Sequence, residues 1–299
     1  MNKLTIFNHF GLGDTFESRE FILDWMAALG VSTCEVETRF PAVFEDLPQI
    51  VTKPLPAHRN MRTHVRRYGK HVILNSWIGA LNGITKPKGD YVIHPGVGCT
   101  VEGLYRMHRD YMRVLGLNGM KKPIADYLSD IDYSRIAPEQ ASRVFAFMNV
   151  WDGYQKILVC NGPTGSQHAE NFSMTQMAEL IPDLQKYVLI FTEKEPCALT
   201  NAFFTDDITQ RPPGGSDFNA ISYLSTFCDV IIGRCSGAQM VCETKRNWMD
   251  ASKTLLSFTH HDNGASFVRD PAALGLKMRR VHSSASTPEA AAEVLKSVL

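Results

Sequence analysis

An aspartate follows a short glycine-rich turn near the start of the chain, in the segment Gly11-Leu12-Gly13-Asp14. The turn lies between an apolar run at residues 3–7 and a segment whose apolar residues have helical spacing. Two interpretations fit this aspartate. It can cap the helix, a position that Asp fills well, or it can act as a general base at the carboxyl edge of a parallel sheet. The GxGxxG dinucleotide pattern is not completed, because Phe16 replaces the third glycine, which disfavours a nicotinamide cofactor.

A second turn, in the stretch Cys228–Arg246, has features that favour an anion. The pattern predicts a buried strand at Val230–Ile232, a turn containing Gly233 and Ser236-Gly237, and then a helix. Glycine lets the backbone approach a ligand closely, and the free N–H groups of a new helix attract a phosphate. The alternative is an ordinary strand-to-helix turn, in which Ser236 only caps the helix.

Three further strand ends in the second half carry loops of small, polar or charged residues. The loops are GPTGSQH at 162–168, TEKE at 192–195 and THHDNG at 259–264. The carboxyl ends of parallel strands meet at one edge of a sheet, so four such loops at that edge predict a ligand site. The strands predicted before the three loops are Lys156–Cys160, Tyr187–Phe191 and Lys253–Phe258.

The other patterns predict the elements around these turns. A helix with its N-cap at Ser173 continues to about Leu184, and a short strand is expected around Asp206–Ile208. His94 ends a predicted strand, where it can face a cleft or, as we expect for a single histidine, be partly buried. The remaining predicted strands are Lys3–Phe7, His71–Trp77 and Gly89–His94, and the remaining helices span about Thr15–Leu29, Val101–Leu117, Phe218–Phe227 and Pro288–Val298.

The most uneven charge distribution is the run His58–His71, which holds Arg59, Arg62, Arg66, Arg67 and Lys70 and no acidic residue. One interpretation is a solvated helix face whose counter-charges lie elsewhere. The other is a surface for an anionic acceptor such as a lipid phosphate, a nucleic acid or an anionic glycan.

Composition narrows the class of protein. The 299 residues suit one large or two medium domains, and 31 basic residues balance 31 acidic ones. Seven scattered cysteines without a CxxC pair, no apolar run near ~20 residues and no signal-peptide pattern together predict a cytoplasmic protein without a transmembrane segment. Strand–loop–helix units in both halves predict two Rossmann-like, doubly wound parallel-sheet domains facing a cleft. We place them at 1–145 and 146–299, and the last helix could pack back on the first domain.

The order of these elements resembles that of a known enzyme family. The second half, with its GPTGS loop, its TEKE loop and CDVIIGRCSG, resembles the donor-binding half of GT-B glycosyltransferases. The Gly11-Leu12-Gly13-Asp14 turn resembles the GxGD turn of their heptosyltransferase-like branch. One difference is that this branch follows Ser-Gly with Pro and a nearby His, whereas this chain has Ala238-Gln239-Met240.

The resemblance implies an inverting transfer of a sugar from a nucleotide-diphosphate donor to an acceptor hydroxyl, with Asp14 as the base. It places the donor diphosphate at the Ser236-Gly237 helix start, and it implies no cofactor and no metal. Glu243 would face the ribose only if the helix start is displaced, and is otherwise a surface glutamate. Other donor-side candidates are Thr164, Gly165, Ser166, Lys194, Arg234 and Ala238; those for the acceptor or sugar are Gly11, Gly13, Arg62, Arg66, Arg67, His94 and His261.

Three alternatives remain open at this point. The basic run His58–His71 could hold DNA, which would make the chain a DNA-modifying glycosyltransferase of viral type. A sugar-nucleotide epimerase could use the same two-domain fold without an acceptor. A non-catalytic nucleotide-binding module would bind the ligand without turnover. The sequence leaves the sugar, the nucleotide base, the acceptor (glycolipid or DNA among others) and the oligomeric state open.

Overall fold

A computed structural model describes residues 2–57, 65–77, 100–118, 120–165, 168–211, 216–262 and 266–299. The chain divides into two compact units, Met1–Ser129 and Asp130–Leu299. The division comes earlier than the predicted boundary at residue 145. The reason is that the helix Pro138–Val150 packs against two helices of the second unit, so it cannot belong to the first.

In the first unit, the described residues form a sheet of five strands, in the order β3-β2-β1-β5-β4. Its strands pair in parallel except for β4, which is antiparallel to β5 and lies at the edge. The strands are β1 (Lys3–Phe7), β2 (Cys34–Thr38), β3 (Ile50–Pro54), β4 (Val65–Tyr68) and β5 (His71–Asn75), and the helices are α1 (Leu12–Glu17), α2 (Arg19–Leu29) and α3 (Val101–Val114).

The helix predicted from Thr15 to Leu29 is two helices that meet at Ser18. The Ser18 hydroxyl donates a hydrogen bond to the Thr15 carbonyl at 2.8 Å, a local bond that competes with regular helix geometry. The second of them, α2, ends at Gly30 in the left-handed region (φ 63°), as predicted from a C-terminal glycine. The strand predicted at Gly89–His94 lies outside the described residues.

The second unit contains a six-stranded sheet that is parallel throughout, in the order β11-β10-β9-β6-β7-β8. Its strands are β6 (Gln155–Val159), β7 (Tyr187–Phe191), β8 (Ala202–Phe204), β9 (Val230–Gly233), β10 (Thr254–Phe258) and β11 (Arg279–Ser283). Its helices are α4 (Pro138–Val150), α5 (Met174–Glu179), α6 (Thr205–Thr209), α7 (Phe218–Ser225), α8 (Gly237–Met240), α9 (Lys245–Trp248) and α10 (Pro288–Val298).

Some elements of this unit differ from the prediction. Asp206–Ile208 lies in helix α6 rather than in a strand, because β8 ends just before it. The helix that starts at Ser173 ends at Glu179, well before Leu184. The last helix, α10, has the predicted bounds, and its residues Ala291, Ala292 and Leu295 belong to the hydrophobic core of the second unit.

The strand order of the second sheet is that of the doubly wound dinucleotide-binding fold. Strand β6 is followed outward by β7 and β8 on one side and by β9, β10 and β11 on the other. The direction of winding therefore reverses between β6 and β9. Ligands of open α/β sheets bind in the crevice outside the carboxyl ends of the strands at such a point.

Candidate functional site

The turn after β9 lies at the reversal point of the second sheet. Ser236 caps α8, and its side-chain oxygen accepts a hydrogen bond from the N–H of Gln239 at 3.4 Å. The next two N–H groups, those of Gly237 and Ala238, have no acceptor within the described parts of the chain. The expected single helix is two short ones, α8 and α9, and α8 has only 4 residues. Stabilisation of an anion here would therefore come from local N–H groups more than from a helix dipole.

Arg234 makes contacts that the sequence did not indicate. Its guanidinium, only 2% exposed, donates hydrogen bonds to the backbone carbonyls of Phe172 (2.6 Å), Gly162 (3.3 Å) and Asn161. These carbonyls belong to the segment between β6 and α5, so the side chain fastens the turn after β9 to the loop after β6. Arg234 is therefore a buried cation that joins two loops, not a surface cation available to a phosphate.

Hydrogen bonds join the other loops at the same edge. The Asn161 side chain donates to the carbonyl of Glu193 at 2.9 Å and accepts from its N–H at 2.8 Å, which connects the loops after β6 and β7. The N–H of His260 donates to the carbonyl of His168 at 2.8 Å, which connects the loops after β6 and β10. The four loops predicted to share one edge are thus in contact through a continuous set of hydrogen bonds.

The predicted donor-side residues lie in different environments. Thr164 is buried, Gly165 is exposed, and Lys194 forms a surface ion pair with Asp207 at 2.6 Å. Ser166 lies outside the described residues. His261 is exposed in the loop after β10, and its carbonyl accepts a hydrogen bond from the Thr259 hydroxyl at 3.0 Å.

Glu243 is fully buried, so the expectation of a surface glutamate is wrong. Helix α8 ends at Met240, before this residue, and the Glu243 side chain lies in the protein interior. Burial raises the pKa of its carboxyl group to about 7, against the opposing effect of hydrogen bonds from Ser266, Gln239 and the N–H of Phe267. No spacing in the sequence indicates this burial, because it depends on a loop that follows β10.

In the first unit, Asp14 is the third residue of α1 rather than the residue before it. Its carboxylate accepts a hydrogen bond from the N–H of Gly11 at 2.9 Å, as a residue in this position of a helix often does. The side chain is half-buried, so it caps the turn and still reaches the surface at the carboxyl edge of the sheet. The two interpretations of this aspartate are compatible with each other.

Asn8 holds this turn from inside and was not recognised in the sequence. Its amide donates to the carbonyl of Asp14 at 3.1 Å and to the hydroxyl of Ser76 at 3.2 Å, and its oxygen accepts from the N–H of Phe10 at 3.0 Å. Ser76 is held in turn by His108, whose ring nitrogen lies 3.0 Å from the Ser76 carbonyl. Burial lowers the pKa of His108 to about 3, so this ring is neutral near pH 7.

The described part of the basic run is a strand, not a helix face. Residues Val65–Tyr68 form the edge strand β4. The Arg67 guanidinium donates to the Gly69 carbonyl at 3.0 Å, and the Tyr68 side chain is 58% exposed. Arg62 and His94 lie outside the described residues. Among the residues that are described, no group of three or more His, Cys, Asp or Glu side chains is placed to hold a metal ion.

Solved structures with the same fold are heptosyltransferases and a related glycosyltransferase. E. coli heptosyltransferase WaaC, in a structure with ADP, matches 99% of this chain and 100% of its own at a TM-score of 0.54 and 10% identity. A family 9 glycosyl transferase from Veillonella parvula matches 98% of this chain and 95% of its own at a TM-score of 0.55 and 9% identity. E. coli ADP-heptose lps heptosyltransferase II matches 99% and 98% at a TM-score of 0.51 and 12% identity.

The chain shares the two-domain α/β fold, called GT-B, of these solved structures. Neither a protein-family model nor a curated protein matches its sequence. The chain therefore shares the arrangement of its elements with these structures, although its sequence is too different from known ones for sequence comparison to detect a relative. As for a membrane span, the described helices include none with the length and apolar content to cross a bilayer.

Proposed function

We propose that this chain is a glycosyltransferase that moves a sugar from a nucleotide-diphosphate donor to an acceptor hydroxyl. One observation carries the proposal. The turn after β9 lies at the reversal point of a sheet whose order and connections are those of a nucleotide-binding fold. The fold matches WaaC along 99% of the chain, and the WaaC structure contains ADP.

The donor would bind with its diphosphate on the turn after β9. The N–H groups of Gly237 and Ala238 and the Ser236 hydroxyl supply fixed donors for the negative charge that the leaving nucleotide acquires. Gly165 is exposed in the loop after β6, at the same edge, and can add its backbone N–H. We assign no phosphate contact to Arg234, because its guanidinium is used by backbone carbonyls.

The chemistry we propose is an inverting, metal-independent displacement at the anomeric carbon. Asp14 would take the proton of the acceptor hydroxyl as the new bond forms. A carboxylate is already ionised near pH 7, so a base of this kind depends on its position. The bonds from Gly11 and Asn8 fix that position.

Calorimetry with ADP, UDP, GDP and their sugars tests the donor site. We expect one of these nucleotides to bind. Ser236→Asp should weaken its binding by about tenfold or more, because the new carboxylate would face the negatively charged diphosphate. Aspartate is itself a good N-cap, so this variant preserves the start of α8. Thr287→Asp is the matched control, because Thr287 caps α10 in the same way. Absence of binding by all of the nucleotides, or equal binding by Ser236→Asp, would refute the proposal.

The acceptor we propose is anionic and binds along β4. Arg66 and Arg67 lie on this edge strand, and Arg67 is exposed beside Tyr68. To distinguish a glycolipid acceptor from DNA, each is supplied separately with the same donor, and the transfer of the sugar to it is measured. Replacement of both arginines by Glu should lower the acceptor affinity, and the effect should shrink as salt rises. An isomeric nucleotide sugar formed from the donor alone, without any acceptor, would instead favour an epimerase.

A further inference from the structure

A buried pair of polar side chains, Gln239 and Glu243, lies directly beneath the turn after β9. Both residues are 0% exposed. The Gln239 amide nitrogen donates to the Glu243 carboxylate at 2.8 Å and to the Ser257 hydroxyl on β10 at 2.9 Å. Its oxygen accepts from the N–H of Cys235 at 2.7 Å. The pair therefore connects the turn to the neighbouring strand.

The turn itself has an unusual backbone. Cys235 has φ 56°, in the left-handed region that residues other than glycine rarely adopt. The bond from its N–H to Gln239 holds it there. Gly233 precedes this residue by two positions, and a Cβ atom on Gly233 would lie 2.8 Å from the Cβ of Gln239. The turn and the glutamine are thus in direct contact, and strained backbone of this kind is concentrated at ligand sites.

Glu243 extends the connection to a second loop. Its other carboxylate oxygen accepts hydrogen bonds from the Ser266 hydroxyl and from the N–H of Phe267 at 3.1 Å. These residues follow the loop after β10. One carboxyl group is therefore bonded to both segments, and it accepts hydrogen bonds from Gln239, Ser266 and Phe267. A movement of either loop would leave a buried donor or acceptor without its partner, which is costly.

We propose that Gln239 and Glu243 are positioning residues for the nucleotide diphosphate: they hold the N–H groups of Gly237 and Ala238 in the orientation that the ligand requires. This inference rests on the proposed donor site. Neither side chain touches the ligand, since both are buried beneath the turn. The pair consists of one carboxyl group and one amide. An exchange of the two residue types should therefore be tolerated better than a change of Gln239 alone.

An exchange of the two residue types is the decisive experiment. In Gln239→Glu, a second buried carboxylate meets Glu243, and the amide donor between them is lost. In the double variant Gln239→Glu with Glu243→Gln, the new glutamate can accept from Cys235 and Ser257 while the new glutamine donates to it and accepts from Phe267. We expect the single variant to bind the nucleotide about tenfold more weakly or worse, and the double variant to recover to within about threefold of the unchanged protein.

Lys253→Met is the control for a merely structural effect. Lys253 is buried in the same unit, and its ammonium group donates to the carbonyls of Ser225, Thr226 and Cys228 at the opposite edge of the sheet. We expect it to lower the thermal midpoint without changing nucleotide affinity more than about threefold. Equal weakening by Lys253→Met, or full binding by folded Gln239→Glu, would overturn the inference.

Hydrogen exchange at the Cys235 amide separates this inference from the proposed function. The amide should be protected in the unchanged protein and in the double variant, and exchange faster in Gln239→Glu, whether or not a ligand is present. If the unchanged protein binds no nucleotide, the proposed function fails and the positioning role fails with it. If it binds and the exchange rates do not differ, only the positioning role fails.

Discussion

The two candidate turns, one in each unit, follow the same plan, strand–turn–helix, but are stabilised in opposite ways. The turn before Asp14 is held by neutral groups: the Asn8 amide inside and the N–H of Gly11 outside. The turn at Ser236 is held by a buried carboxyl group and by a residue with φ 56°. The first turn presents a carboxylate, and the second presents N–H groups.

This difference fits the group that each turn would meet in the proposed reaction: a proton at the first turn and an anion at the second. A carboxylate that accepts a proton needs a rigid backbone but no additional charge beneath it. A turn that binds an anion has to keep its N–H groups outward, so the protein satisfies the inward N–H of Cys235 with a side chain. The carboxyl group of Glu243 lies below that glutamine, where donors of the protein rather than the ligand satisfy its oxygens.

The largest effect is expected from Asp14→Asn. If the first turn supplies the base, sugar transfer should fall by about 10²–10⁴-fold while nucleotide affinity stays unchanged, since the proposed donor site lies in the second unit. Turnover of the nucleotide sugar together with calorimetry measures both. Asp24→Asn, which removes a carboxylate bonded to Tyr127 in the same unit, is the control. Transfer that persists at the normal rate in Asp14→Asn would remove the catalytic role from this turn.

The buried carboxyl group beneath the second turn should make stability depend on pH between about 4.5 and 7. The Glu243 pKa is raised to about 7 in the folded protein from its ordinary value of 4.5, so this group binds more protons in the folded state than in the unfolded state between these values. The contribution of Glu243 to stability should therefore fall as pH rises through this window, by an amount on the order of 3 kcal/mol. Urea titrations at several pH values measure it. Glu243→Gln should flatten this part of the profile, and an unchanged slope in that variant would contradict the assignment.

A methyl group on Gly233 should disturb the second turn through Gln239. Gly233→Ala places a Cβ atom against this buried glutamine, and we expect a loss of about 2–3 kcal/mol in the free energy of unfolding. Gly165→Ala is the comparison, because no atom lies within 4 Å of a Cβ at that position. Denaturant unfolding of both variants measures this loss. Equal stability of the two would show that the second turn accommodates the added methyl group without strain.

The smallest effect is expected from Asn8→Ala in the first turn. It removes the donors to the Asp14 carbonyl and the Ser76 hydroxyl and the acceptor for Phe10, and should cost about 1–2 kcal/mol of stability. Transfer should slow because Asp14 is held less firmly, whereas the nucleotide affinity should not change. A weaker nucleotide affinity in Asn8→Ala would mean that the two turns do not act as separately as their contacts suggest.

Local patterns were sufficient for much of the fold. The bounds of β1, β7 and α10 agree with the prediction, because apolar runs and the Thr287–Pro288 helix start are local signals. Asp206–Ile208 was misassigned since a short polar segment has no clear period. The early division at Ser129 could not be read from the sequence, because the partners of α4 are far along the chain.

The candidate site was predicted in outline only. Sequence marked Asp14 and Ser236, since glycine-rich turns after strands are visible in the order of residues. The sequence did not indicate the hydrogen bonds of Arg234, the burial of Glu243 or the proposed positioning role of Gln239. Each of these depends on which segments pack beneath the turn, and polar residues that serve a neighbouring backbone have the same composition as surface residues.

Gly233 and Gln239 also have a consequence for attempts to alter the protein by mutagenesis. Because a side chain at position 233 would occupy space that the glutamine at 239 fills, a residue larger than glycine at 233 should be accommodated best together with a smaller residue at 239. A library that randomises position 233 alone should therefore return mostly glycine. Changing both codons together should widen the range of residues at 233, whereas position 239 can be made smaller with glycine still at 233.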